Sequence, residues 1–203
     1  MFKNIASDVL GLSDIGAIIS PKDFHKVESD DYILYEDGEK IYFLIKSKSD
    51  EYCFTNYALI HLDGASATSK KRLLKRYSYK NNPITDVTLE TAGTVDLDIE
   101  IKFNIGNVPY SIDVIKQDIE GLKDLYKALV KISSIQVENQ HYLQYAEKSL
   151  NLASQSLKPY THNSSPEEQF KAINLYSFNW LKKTRQQFMK KDFSEIFDLF
   201  INK

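Results

Sequence analysis

The chain has 203 residues, 42% hydrophobic and 27% charged, with a net charge of −2, which suits a soluble globular protein of one domain plus an extension, or two small domains. Its single cysteine excludes an intramolecular disulfide and fits a reducing cytoplasm. Residues 1–12 carry Lys3, Asn4, Ser7 and Asp8 among their apolar positions and so lack a signal-peptide pattern; no apolar run approaches the roughly 20 residues that span a bilayer, and the near-neutral charge argues against nucleic acid as the main partner.

In chain order, residues 4–12 suit a short leading helix with Ile5, Val9 and Leu12 on one face, and Pro21 closes the loop that follows. Strands are expected over residues 32–35, 41–47, 51–55, 58–62, 72–79, 84–91, 95–103 and 108–113. Between them, Glu36-Asp37-Gly38-Glu39, Ser49-Asp50, Asp63-Gly64-Ala65-Ser66, Asn81-Asn82-Pro83 and Asn104-Ile105-Gly106-Asn107 have turn chemistry, because Asn, Asp and Gly tolerate positive φ or bond their own backbone. The clearest alternation sets Val95, Leu97, Ile99 and Ile101 against Asp96, Asp98, Glu100 and Lys102, one face for a core and the other for water. Seven or eight short antiparallel strands at this spacing indicate a sandwich or barrel.

After Asp113 the period changes from two to that of a helix. Ile119, Leu122, Leu125, Tyr126, Leu129 and Val130 form a stripe that would cap one end of the sheets. Leu143, Ala146, Leu150, Ala153 and Leu157 follow a 3-4-3-4 spacing, a short heptad seam that Pro159 ends. Ser165-Pro166-Glu167-Glu168 then restarts a helix with Ser at the N-cap, Pro at N1 and Glu at N3, and its stripe is Phe170, Ile173, Ser177, Trp180, Leu181, Thr184 and Phe188. A last short helix carries Phe193, Ile196, Phe197, Phe200 and Ile201 on one broad face. The expected fold class is therefore α+β: a β-domain closed by a helix over residues 1–134, and a helical hairpin with a short tail over 135–203.

Residues 8–132 resemble the bacterial pleckstrin-homology-like domain. Glu90-Thr91-Ala92-Gly93-Thr94-Val95-Asp96-Leu97-Asp98-Ile99-Glu100 resembles that family's E-T-A-G-[TS]-x-D-x-D-x-E hairpin nearly position for position. Phe54-Thr55-Asn56 with Leu59-Ile60-His61-Leu62-Asp63, and Tyr77-Ser78-Tyr79 before Ile84, resemble two further segments. Where many members carry a basic residue after F-T-N, this chain has Tyr57-Ala58. The resemblance implies a seven-stranded antiparallel sandwich or open barrel closed by one helix. Residues 134–203 are similar to the YvbH-like extension found behind such domains, which implies an oligomerisation region. The hairpin motif also has a physical reading: Ala92-Gly93 makes a tight turn and the alternation after it pins the register, so it determines fold rather than chemistry.

Little in the sequence carries catalysis. If Asn56-Tyr57 is a two-residue turn, Cys53 pairs with Ile60 and His61 points to the opposite face, so no nucleophile–base dyad follows. His25, His61, His141 and His162 sit in four elements without metal-ligand spacing, and no phosphate loop or nucleophile elbow occurs. Asp96, Asp98 and Glu100 read as a solvated face paired with basic neighbours. No catalytic residue, metal or cofactor is expected, and the chain is read as a non-enzymatic module.

Two features bear on partners. Lys70, Lys71, Arg72, Lys75 and Arg76, with Lys80, form the densest run of cations. A charged strand that discourages edge pairing is the expectation, and contact with anionic lipid at a membrane surface the alternative. Phosphoinositide-binding pleckstrin-homology domains draw basic residues from their first hairpin loop, whereas the corresponding loop here, Glu36-Asp37-Gly38-Glu39-Lys40, is acidic. The late aromatics exceed what one hairpin buries against itself. A homo-oligomer interface over Leu143, Ala146, Leu150, Ala153, Leu157, Phe170, Ile173, Trp180, Leu181, Phe188, Phe193, Ile196, Phe197 and Phe200 is the expectation, and packing of the tail on the chain's own β-domain the alternative. By analogy of fold, a protein or peptide ligand at an open sheet edge is the class of further partner.

Overall fold

The computed structural model describes residues 15–64, 72–91, 98–156 and 165–202. The expected leading helix over 4–12, the Ala92-Gly93 turn with Val95, Asp96 and Leu97, and residues 65–71 lie outside them. The chain forms two units: residues 1–133 together with 191–203, and residues 134–190. The expected division at residue 134 therefore misses the return of the last residues to the first unit.

The first unit is two antiparallel sheets. β1 (Ala17–Ile18), β2 (Ile41–Lys46), β3 (Glu51–Thr55), β4 (Ala58–Gly64) and β5 (Arg72–Ser78) form one, in that spatial order. β6 (Ile84–Glu90), β7 (Asp98–Ile105) and β8 (Val108–Ile115) form the other. Seven of these answer the expected strands, and β1 is the added one. Alternation explains β7, where Ile99, Ile101, Phe103 and Ile105 are buried and the residues between them are not. The sheets meet through aromatic rings, with Phe54 lying 6.3 Å from Phe43 and 6.1 Å from Phe103. At one corner Gly16 joins them: its N–H donates to Asp113 O at 2.8 Å and its carbonyl accepts from Ile115 N at 2.9 Å. A Cβ there would stand 2.6 Å from Ile45 Cγ2 and 3.2 Å from Asp113 O, so only glycine lets the two sheets approach this closely.

Residues 32–35 are not a strand. Glu28–Tyr32 and Tyr35–Asp37 are 3₁₀ turns that continue an earlier one, Pro21–Lys26. The apolar period was real, since Ile33 is buried while Tyr32, Leu34 and Tyr35 are exposed. The backbone, however, bonds to side chains rather than to a neighbouring strand. The arc lays Val27 and Ile33 over the outer face of the five-stranded sheet, on a cluster with Leu44, Cys53 and Ile60.

Helix α1 runs unbroken from Ile119 to Ser156, 38 residues, where two helices parting near residue 134 were expected. Residues 130–137 contain neither Gly nor Pro, so nothing in the backbone ends it. Its first turns bury Leu122, Leu125, Ala128, Leu129 and Ile132. α2 (Pro166–Phe188) opens on the expected capping box, with Ser165 Oγ accepting from Glu168 N and Glu168 accepting from Ser165 N. α3 (Ser194–Phe200) belongs to the first unit.

Candidate functional site

The expected hairpin register is observed: Cys53 pairs with Ile60 and Tyr52 with His61. Two buried glutamates on either side of this hairpin hold the 3₁₀ arc. Glu51 Oε2 accepts from Ser29 N at 2.8 Å and its carboxylate pairs with Lys46. Burial opposes ionisation of Glu51, but Lys46 and the Ser29 bonds outweigh it and its pKa falls below the ordinary value. Glu39 accepts from Leu34 N at 2.9 Å, from Thr55 Oγ1 at 2.6 Å and from Arg76 Nη2 at 2.8 Å. Where the arc stops short of β5, a shallow cavity of about 290 Å³ remains between Asp31–Leu34, Ile60, Leu74 and Arg76.

The basic segment does not make one cationic face. Lys70 and Lys71 lie outside the described residues. By register, Arg72 and Arg76 point to one side of β5 and Lys75 to the other. Each is already paired: Arg72 with Glu28 at 3.0 Å, Lys75 with Asp63 at 2.6 Å, and Arg76 with Glu39. β5 is the last strand in its sheet order. These pairs favour the charged-edge reading over lipid contact, because cations shared with carboxylates attract anionic headgroups less.

His61 stacks on Tyr52 at 4.5 Å between ring centroids, with Nε2 3.2 Å from Asp50 Oδ1 and Nδ1 3.3 Å from the Tyr110 hydroxyl. A carboxylate only accepts, so Nε2 carries the proton and Nδ1 accepts from Tyr110. Burial lowers the imidazole pKa against the pull of Asp50. The Cys53 thiol is fully buried, and burial raises its pKa, which makes it an inert packing residue. Among the described residues no cluster of His, Cys, Asp and Glu is arranged to hold a metal ion. Glu100 pairs with Lys102 at 2.7 Å, as expected of a solvated strand face, and Lys102 also reaches Glu90 at 2.9 Å.

The tail departs from the expected subunit interface. Phe193, Ile196 and Phe197 are buried inside the first unit. Phe197 stacks on Tyr42 at 5.3 Å, and Phe193 meets Tyr79 edge-on at 5.8 Å. Asn56 forms a two-point clamp: its carbonyl accepts from Phe193 N at 2.9 Å, and its Nδ2 donates to Asp192 Oδ1 at 3.1 Å. Lys191 Nζ lies 5.0 Å from the centroid of the Tyr57 ring. Those three apolar side chains therefore form a core contact in this fold, and Phe200 is half-buried beside them. The tail thus takes the alternative left open by the sequence.

In the second unit, Leu143, Ala146 and Leu150 are half-buried on α1, while the Ala153 side chain and Leu157 lie outside the described residues. Tyr142 and Phe188 bring α1 and α2 together at 5.3 Å between ring centroids. Trp180 and Phe188 are half-buried; Phe170 is 70% exposed, and Ile173 and Leu181 are exposed too. Leu175, Tyr176 and Phe178, outside the expected stripe, are 63%, 68% and 63% exposed.

A family model described as "Bacterial PH domain" matches residues 9–133. The chain belongs to the bacterial PH domain family. A second model, described as "YvbH-like oligomerisation region", matches residues 144–203. The protein YvbH of Bacillus subtilis (strain 168) is 54% identical over 207 residues, covering 100% of both chains. The crystal structure of a PH-domain-containing bacterial protein from Exiguobacterium sibiricum 255-15 is 51% identical, with a TM-score of 0.87 over 93% of this chain and 100% of that one. The PH domain of this chain is thus the two-sheet unit, and α1 leads from it into the region matched by the oligomerisation model. Among the described residues no helix is long and apolar enough to cross a membrane. Sequence reasoning missed Glu39 and Glu51, because a buried carboxylate in a turn or strand looks like any solvated one until its partners are placed. Asn56 was quoted only as part of a motif; its clamp joins residues 136 apart in sequence.

Proposed function

We propose that this protein is a non-enzymatic scaffold that forms homo-oligomers through its helical unit and presents its PH domain as the binding head. The observation that carries this is the exposure of Phe170, Ile173, Leu175, Tyr176, Phe178 and Leu181 on the 23-residue α2. At 100° per residue these six are spread around the whole helix, and a helix apolar on all sides is one that other protein covers. The match to an oligomerisation region over residues 144–203 supports a second copy as that cover. Phe170, Phe178 and their neighbours, with the α1 seam of Leu143, Ala146 and Leu150, would supply the buried centre of the interface.

Size-exclusion chromatography with light scattering tests the reading. The full chain at tens of micromolar is expected to run as an oligomer, and Phe170→Glu with Phe178→Glu to shift it towards the monomer. A monomeric full chain overturns the proposal.

A further inference from the structure

The seat of the tail is built like a receptor for a peptide. Its floor is apolar, with the Tyr42 and Tyr79 rings taking Phe197 and Phe193. Its rim is polar and directional, with Asn56 reading both the carboxylate of Asp192 and the N–H of the next residue. The ligand organises itself to fit: Asp192 Oδ1 accepts from Ser194 N at 2.8 Å and Ser194 Oγ at 2.6 Å, which closes the first turn of α3. The recognised chemistry is thus an acidic residue followed by an amphipathic helical turn with aromatics four residues apart.

Every one of these contacts is made by residue 192 or a later one, after the irregular segment 189–193 that follows α2. The contacts are the same whichever copy supplies the tail, which is the condition under which exchange between identical subunits costs little. Association through α2 would hold neighbouring tails at high local concentration.

We propose that the seat formed by Tyr42, Asn56, Tyr57 and Tyr79 is a binding site for an acidic–aromatic helix, and that in the assembled protein its occupant is the 192–200 segment of a second copy. This rests on the self-association reading above. The exchange would make each PH domain complete only with its neighbour's aromatics, so that assembly and domain stability are coupled.

The test co-expresses full chains carrying Asn56→Cys with full chains carrying Asp192→Cys and treats the assembled mixture with a short bis-maleimide. Cys53 is fully buried and contributes no background. The expected result is a shift from monomer to dimer mobility on a denaturing gel, in the mixture and in neither variant alone. Tyr57→Cys mixed with Lys191→Cys, at the rim of the same seat, repeats the measurement should loss of the Asn56 clamp unfold the first pair. Light scattering on each sample separates the two readings. An oligomer without cross-linked dimer overturns the exchange and leaves self-association standing, whereas a monomer overturns both.

Discussion

Glu51 and Glu39 show how single side chains decide this fold. Each is a fully buried carboxylate that takes a backbone N–H from the 3₁₀ arc and an ion pair from the sheet, so removing the charge leaves buried donors short of a partner. Glu51→Gln is expected to lower stability by about 1–3 kcal/mol, read by chemical denaturation at neutral pH. Because the folded pKa of Glu51 lies below its ordinary 4.5, its contribution is present above that value and lost as pH falls through the lower folded one. The variant should therefore differ most from the parent at neutral pH and converge on it in acid. His61 has the same sign. Its folded pKa is below 6.5, so the neutral ring is favoured, and its contribution is lost as pH falls through the folded value. An NMR titration of the ring protons should give a midpoint under 6.5, and a midpoint above it would show that Asp50 dominates over burial.

At the scale of elements, β5 and α3 exchange the roles their compositions suggest. β5 has the densest charge in the chain and uses it inward, each described cation holding a carboxylate of the arc, of β4 or of the turn before β2. α3 has the composition of an interface and is spent on a core, with Phe193 and Phe197 filling space between Tyr42 and Tyr79. Phe197→Ala is expected to cost about 3–5 kcal/mol, as large-to-small changes at fully buried aromatics do, measured by denaturant unfolding of the PH domain. A chain ended at residue 134 loses that plug. It should bind an apolar dye and melt lower than the full chain, although its strands and the first turns of α1 are intact.

For the whole molecule, the two units divide the apolar surface unequally. The PH domain buries its large side chains, while the helical unit leaves a ring of them in water. If α2 serves assembly and not the fold of the PH domain, Phe170→Glu with Phe178→Glu should dissociate the oligomer while near-ultraviolet circular dichroism of the PH-domain aromatics is preserved. Loss of both together would place those residues in the fold itself.

Local order is what the sequence by itself determined: the strand spacing, the Cys53–Ile60 register, the capping box at Ser165 and the switch from period two to a helical period each depend on neighbours within a few residues. Residues 32–35 failed because an apolar alternation does not say where backbone N–H groups find acceptors, and here Glu39 and Glu51 provide them. The tail's destination could not be read either. Phe193 and Asn56 are far apart in the chain, and an aromatic stripe looks the same whether a second copy or its own β-sheet covers it. Only the tertiary structure chose, by setting Tyr42 and Tyr79 at the spacing of Phe197 and Phe193 and turning Asn56 to meet Asp192.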